Sequence, residues 1–483
     1  MFLDKKAFVK ANGETTATVP SGTAAITQSK RAVRLIGRCL VVALSAAAAR
    51  EARADKIDEF VTAQMQRQHI PGVSIAVLKD GTPVKLKGYG VANLELNAPA
   101  TPESVYKIGS LSKQFISAGI MLLNKEGKVG LDDSVRKYLK DALVTWQTIT
   151  VRHALTHTSG LAREAPGFDP LKAQIDAEVI RTAYSAPLAV KPGEKFEYSN
   201  LGYFVLAEII HRAAEKPWPQ FLQERLFAPH KMNTTRTTTN EDLVPHRATG
   251  HEWRDDKYTN AEIMIGIRPS GAFLSSVQDL AKWDASLYSD ELFSPSQREA
   301  MWSPVKLNDG GERPYGFGWY LSKVRNHRLV RHAGTMAGFR SEMARFVDDR
   351  LTVIVLTNSG LSVPETIAMG VASFYIPDLL PKREAVQLTA DVLDLYAGQY
   401  QLGGGRTLSV TRSDRKLVLT MSLGNKTMDL GLLTAESKTR FFNEDDPRST
   451  YIFSTDAQGH LQLVVADEEG KPGQQARKMD LGK

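Results

Sequence analysis

Ser110 and Lys113 are the residues whose types and spacing first suggest chemistry. They lie in Gly109-Ser110-Leu111-Ser112-Lys113-Gln114-Phe115, followed by Ile116, Ile120, Met121, Leu122 and Leu123 at helical spacing up to Gly127. That pattern predicts a helix whose first turn holds Ser110. Residues three apart share a helix face, so the hydroxyl and the amine can converge. The unpaired N–H groups and the dipole of a first turn favour a developing negative charge. A serine hydroxyl becomes a nucleophile when a base takes its proton, and a lysine whose pKa is lowered by burial can be that base. The spacing also occurs at Ser134–Lys137 and Ser303–Lys306, so the pair alone does not define a site.

Two further groups add to it. Tyr198-Ser199-Asn200 sets a phenol and an amide at the corner between a short predicted strand, Phe196–Tyr198, and a helix apolar at Leu201, Val205, Leu206, Ile209 and Ile210. A phenolate beside an ammonium can act as a base, because the positive neighbour lowers its pKa. Tyr258-Thr259-Asn260 has the same form. His332-Ala333-Gly334 is the only H-x-G of the chain and ends a predicted strand. Gly334 admits a ligand close to the backbone, and the N–H of Thr335 can form an oxyanion hole with that of Ser110. His153 and His157 are four apart, but lack the acidic partner of an H-E-x-x-H metal motif. A hydrogen-bonded structural role is the expectation for His157, and no metal or cofactor is expected.

The elements that must position these groups are legible in outline. Asp55–Gln68 reads as an amphipathic helix stopped by Pro71-Gly72, and Val73–Leu78 and Val84–Tyr89 as a hairpin turning at Asp80-Gly81. Short helices are predicted over Leu131–Leu139, Val151–Leu155 and Val277–Leu287, and strands over Tyr315–Tyr320, Leu329–His332, Ser341–Val347 and Leu351–Asn358. Strands at both ends of this region predict one antiparallel sheet covered by the helical middle. Tyr375–Val386 reads as a linker. Seven short alternating runs between Tyr396 and Val465 follow, with no helix pattern, and predict a small antiparallel barrel.

The 483 residues suffice for two or three domains. The net charge of +7 invites a nucleic-acid reading, but +6 of it lies in residues 1–54 and no basic stripe follows, so no nucleic-acid partner is expected. Lys30, Arg31, Arg34 and Arg38 before the apolar run Cys39–Ala49, then Ala52-Arg53-Ala54, read as a leader cleaved before Asp55. A periplasmic or secreted protein is expected, with no stable membrane span once the leader is removed. The only cysteine, Cys39, leaves with it.

The order S-x-x-K, Y-x-N, H-x-G resembles the penicillin-recognising serine hydrolases, in the branch holding class C β-lactamases, DD-peptidases and family VIII esterases. Leu155-Thr156-His157-Thr158-Ser159-Gly160-Leu161, Gly271–Ser276 and Tyr315-Gly316-Phe317-Gly318-Trp319 are further points of likeness. The resemblance spans about residues 55–380; residues 390–483 resemble the small lipocalin-like barrels appended to such enzymes. It implies an α/β (α+β) fold, an antiparallel sheet flanked by helices with a helical subdomain, and then the C-terminal barrel. It implies that Ser110 is acylated and Lys113 is its proton partner. Tyr198 would be the general base, and Asn200 would orient substrate or Lys113. Gly334 and Thr335 would bind substrate, with His332 as a fourth catalytic residue. His332 stands where class C β-lactamases usually carry the lysine that faces the substrate carboxylate, and an exposed histidine is mostly uncharged near neutral pH. Arg331 and Arg340 are the cations nearest in sequence. The expected function is a secreted serine hydrolase acting through an acyl-enzyme on an ester, amide or D-amino-acid peptide, with a small molecule or peptide as its only expected partner. A true β-lactamase and a non-catalytic peptidoglycan-fragment sensor are the alternatives.

Overall fold

A computed structural model describes residues 55–237, 241–264, 269–271, 273–424, 426–467 and 471–479. The expected leader lies outside the described residues. Helix α1 covers residues 55–67. A hairpin of β1 (Gly72–Lys79) and β2 (Thr82–Asn93) follows, then β3 (Ala98–Pro99), β4 (Tyr106–Lys107) and α2 (Ser112–Lys125). The helical middle holds α3 (Val151–Leu155), α4 (Asp176–Tyr184), α5 (Asn200–Ala214) and α6 (Trp218–Leu222). Next come the hairpin β5 (His251–Arg254) and β6 (Lys257–Asn260), β7 (Leu274–Ser275), α7 (Val277–Ser286), α8 (Pro295–Met301) and the pair β8 (Val305–Lys306) and β9 (Glu312–Arg313). Four long strands, β10 (Tyr320–Val324), β11 (His327–Met336), β12 (Phe339–Phe346) and β13 (Leu351–Thr357), lead to α9 (Pro364–Ser373).

The main sheet runs β10-β11-β12-β13-β1-β2-β3, so the two ends of the domain meet at its centre. There β1 pairs antiparallel with β13 in the register Ile75↔Val355. Both strands are buried along nearly their whole length because each face is covered. One face packs on α1 and α9 through Ile57, Val61, Ile367 and Val371, and the other looks onto α2, α5 and α7, whose Phe115, Ile120, Phe204 and Trp283 share its core. The mixed α/β architecture with a large antiparallel sheet is the one read from the sequence. Two expected strands are absent. Phe196–Tyr198 makes no ladder, and 315–319 is a bridge and a bend. At Gly318 the backbone is left-handed (φ +78), and a Cβ there would lie 3.0 Å from Lys113 O, so the segment crosses α2 instead of joining the sheet.

Beyond the linker and α10 (Ala390–Asp394), eight strands close a barrel: β14 (Gly398–Leu402), β15 (Arg406–Ser413), β16 (Lys416–Leu423), β17 (Lys426–Ala435), β18 (Arg440–Asn443), β19 (Thr450–Thr455), β20 (Leu461–Ala466) and β21 (Pro472–Lys478). Tyr400, Phe441, Phe453, Leu419 and Leu463 fill its interior, and Tyr396 stacks on Phe453 at 4.3 Å. The barrel meets the sheet domain through charge. Arg67 bonds Asp445 at 2.5 Å, and Arg448 reaches Glu365 at 3.3 Å. A polar cavity of about 120 Å³ lined by Gln64, Arg67, Thr366, Asp445 and Asp446 lies along that seam. These ion pairs are only half-buried, and such pairs weaken with salt whereas apolar cores do not. Limited proteolysis within 374–389 should therefore accelerate on going from low to high salt, and Arg67→Ala with Arg448→Ala should cleave fast at both. Equal rates for native protein at both salts would mean that the seam is not ionic.

Candidate active site

Ser110 sits in a single 3₁₀ turn, Gly109–Leu111, just ahead of α2. The expected helix thus begins one step later, at Ser112, because Gly109 is left-handed (φ +55) and cannot continue it backwards. Ser112 ties the turn down by donating to Gly109 O (2.6 Å) and accepting from Phe273 N (3.2 Å). Lys113 follows on the buried face of α2 and is 0 % exposed. Its Nζ donates to Asn200 Oδ1 (2.8 Å) and to the backbone O of Ser270 (2.8 Å), and lies 3.3 Å from Ser110 Oγ.

That geometry serves two protonation states. Asn200 Oδ1 and a carbonyl oxygen only accept, so they take two N–H bonds from the amine in either state. The third position on nitrogen faces Ser110. In the ammonium it is an N–H given to Oγ; in the neutral amine it is a lone pair able to take the Ser110 proton.

Asn200 opens α5, whose N-cap Ser199 accepts from Gly202 N (3.0 Å) and donates to Ala162 O (2.7 Å). The Asn200 amide donates through Nδ2 to Glu164 Oε1 (2.6 Å), so only one amide orientation suits both the ammonium and the carboxylate. Tyr198 precedes the cap, and its phenol is close enough to the Ser110 hydroxyl to be influenced by it. Lys113 Nζ lies 4.8 Å from its ring centroid, the Arg163 guanidinium 5.4 Å away, and Tyr320 stacks parallel at 6.5 Å. Burial pushes the Tyr198 phenol well above its ordinary pKa, and the Ser110 hydroxyl offsets only part of this. That direction favours the neutral phenol over the phenolate considered from the sequence.

The oxyanion edge comes from β11. Strand β10 ends at Tyr320, opposite Arg331. By the alternation of an antiparallel ladder, Ala333 and Thr335 present their N–H and C=O groups to the edge that β10 leaves open. The Ser110 turn fills that edge so closely that a Cβ on Gly109 would lie 2.5 Å from Thr335 N, and one on Gly334 1.9 Å from Ile108 O. Ser110, Lys113, Tyr198, Asn200, Gly334 and Thr335 are thus brought together.

His332 enters differently. It is 1 % exposed, part of the wall behind Tyr198, with its Nδ1 2.7 Å from Ala333 O and its Nε2 3.1 Å from the Tyr315 hydroxyl. Burial first, then the Lys113 charge, push its pKa down to about 3. His157 is also held neutral, mainly by burial, and accepts from Ser199 N at Nδ1 (3.0 Å). His153 is committed elsewhere, capping α3 through Thr150 N (3.2 Å). Of the two cations considered, Arg331 binds Glu342 (2.8 and 2.7 Å) and Glu365 (2.6 Å) away from the cleft. Arg340 donates to Thr335 Oγ1 (2.7 Å) and Gly360 O (2.8 Å), and lines a cleft of about 520 Å³ with Thr335, Glu252, Arg254 and Asn260. Ser270, Glu164 and Tyr315 were not singled out as site residues from sequence. Only Tyr315 had a local signal, the Tyr-Gly-Phe-Gly run.

A family model described as Beta-lactamase matches residues 57–372, and the chain belongs to that family. It is 30% identical over 384 residues to Penicillin-binding protein 4* of Bacillus subtilis, covering 73% of this chain and 84% of that one. Among solved structures it is similar to the octameric penicillin-binding protein homologue from Pyrococcus abyssi (TM-score 0.64, 25% identity, 88% of this chain and 100% of that one). It shares the fold of the D-amino acid amidase from Ochrobactrum anthropi (TM-score 0.59, 23% identity, 67% and 96%).

Buried neutral imidazoles carry a pH signature. An unfolded histidine binds a proton near 6.5, whereas His332 holds out to about 3. Between these values the unfolded chain binds more protons, so this stabilisation is complete above 6.5 and is lost as pH falls. At about pH 5 the loss is ~2 kcal/mol for one such group. Urea unfolding of His332→Gln should show a stability slope between about pH 7 and pH 5 that is flatter by that amount. An unchanged slope would contradict the neutral buried imidazole.

Proposed function

We propose that the protein is a serine hydrolase that forms an acyl-enzyme at Ser110 with a small ester, amide or D-amino-acid peptide. The observation that carries this reading is the Lys113 amine 3.3 Å from Ser110 Oγ, with its two other bonds made to groups that only accept. Ser110 Oγ attacks the substrate carbonyl while its proton passes to Lys113 Nζ. The carbonyl oxygen takes up the negative charge facing the N–H groups of Ser110 and Thr335. As the tetrahedral adduct collapses, the Tyr198 phenol gives its proton to the leaving group and is replenished from the Lys113 ammonium. Water then enters by the reverse of these transfers and releases the acid. The penicillin-binding and amidase names of similar proteins support the reaction class. The basic and then apolar stretch ahead of Asp55 supports an exported protein.

A β-lactamase proper is less well supported. No permanent charge stands at position 332, and Arg331 is spent on Glu342 and Glu365. Of the two cations near His332 in sequence, Arg340, beside Thr335, is the one that faces a cleft and can meet a substrate carboxylate. Fluorophosphonate or fluorescent penicillin should label the native protein but not Ser110→Ala, with turnover falling on the order of 10⁴-fold or more. Equal labelling of both would overturn the assignment. Arg340→Ala should raise KM roughly 10- to 100-fold for D-alanyl peptides bearing a free carboxylate, and leave short p-nitrophenyl esters nearly unaffected. An equal effect on both substrate types would remove Arg340 from carboxylate recognition.

A further inference from the structure

The wall behind Tyr198 contains a polar chain that the acyl-transfer steps do not use. Its centre is the Tyr315 hydroxyl, 3.2 Å from His157 Nε2 and 3.1 Å from His332 Nε2. The direction of each bond follows from the groups at the ends. Ser199 N–H donates to His157 Nδ1, so the neutral ring carries its proton on Nε2 and donates to the Tyr315 oxygen. At the other end Ala333 O only accepts, so the His332 proton sits on Nδ1 and its Nε2 needs a donor. The Tyr315 O–H is that donor. Tyr203, which packs beside it, has its own proton committed to Leu155 O (3.0 Å). The chain therefore runs one way, from Ser199 N–H through His157, Tyr315 and His332 to Ala333 O.

Three polar side chains at 0–1 % exposure would be replaced by apolar ones at little cost if packing were all they supplied. Their placement suggests more. The Tyr198 ring rests on His157 (centroids 4.1 Å apart), with Tyr315 edge-on at 6.4 Å and His332 at 6.3 Å. The chain starts at the residue after Tyr198 and ends on the carbonyl two residues before Thr335. It thus links the corner that aims the phenol to the strand that aims an oxyanion donor.

We propose that Tyr315 is a positioning residue, whose hydroxyl locks His332 in the single tautomer protonated at Nδ1 and so fixes the Tyr198 ring and the Ala333–Thr335 edge relative to Ser110. It acts through His332, without touching substrate. The kinetic part of this proposal rests on the acyl-enzyme reading; the tautomer part does not.

Tyr315→Phe keeps the ring and deletes the hydroxyl. Long-range ¹H–¹⁵N spectra of the native protein should show the His332 ring protonated at Nδ1, and those of Tyr315→Phe a mixture of tautomers. With a short p-nitrophenyl ester, kcat should fall roughly 10- to 100-fold, because small misplacements cost that much, while KM stays within about threefold. In a His332→Gln background the same substitution should cost less than about twofold, since the route of its action is already gone. An unchanged tautomer in Tyr315→Phe overturns the proposal, as does an equal kcat loss in both backgrounds. If Ser110→Ala retained full activity, the acyl-enzyme reading would fail and the spectra alone would decide the tautomer claim. Should Tyr315→Phe not fold, His157→Gln and His157→Leu make the comparison. The first keeps an N–H donor to Tyr315 and should retain the His332 tautomer; the second removes it and should not. Mixing in both or in neither would refute the chain.

Discussion

A lysine nitrogen with no access to solvent is the constraint from which the rest of the site follows. Taking an ammonium out of water costs several kcal/mol unless its N–H groups find acceptors. Lys113 finds them on the Ser110 turn, the first residue of α5 and the backbone of Ser270. Those segments are far apart in the chain, so satisfying one amine fixes the relative position of α2, α5 and the 269–271 loop. Glu164 lies one bond further out, on the Asn200 amide, and holds that amide in the orientation that turns its oxygen to the ammonium. This arrangement leaves the nitrogen's third position to Ser110.

The second constraint is the open sheet edge. Strand β11 outruns β10, and unpaired edge groups need partners. The Ser110 turn supplies part of that cover, at a distance only glycine permits at positions 109 and 334. The edge and Ser110 are therefore placed by one contact. Any displacement of β11 moves Thr335 relative to Ser110. The chain through Tyr315 braces the same strand from behind, so both faces of the oxyanion edge are tied to residues that flank a reacting group.

Much of this was legible in the sequence, and the remainder is missing for physical reasons. Ser110, Lys113, Tyr198 and Asn200 sit at element ends within short motifs, so local spacing exposes them. The antiparallel sheet built from both ends of the domain also followed from alternation and turn residues. Ser270 and Glu164 have no local signal, because a backbone carbonyl or lone carboxylate becomes a partner only through tertiary placement. The burial of His332 was readable in principle: Val330, Gly334 and Met336 share its parity and are buried, while Ala333 and Thr335 are exposed. The eighth barrel strand, β21, was not read because Pro472-Gly473-Gln474-Gln475 lacks alternation, and only Ala476 of its residues turns inward. It is a strand because β14 and β20 both need a neighbour to close the barrel.

The charge pattern around the cleft bears on what such a site can accept. Fixed positive charge at position 332 would meet a substrate carboxylate held rigidly close to the scissile bond. Here that position is a neutral ring turned into the wall, and the adjacent Arg331 faces the opposite side of the strand, toward Glu342 and Glu365. Arg340 lies across the ladder from Thr335, on β12, and donates to the Thr335 hydroxyl. A substrate lacking a carboxylate would still meet the nucleophile, the phenol and the backbone donors. In the proposed reading, acyl transfer would thus be built into the core around Lys113, and recognition left to the cleft beside Thr335.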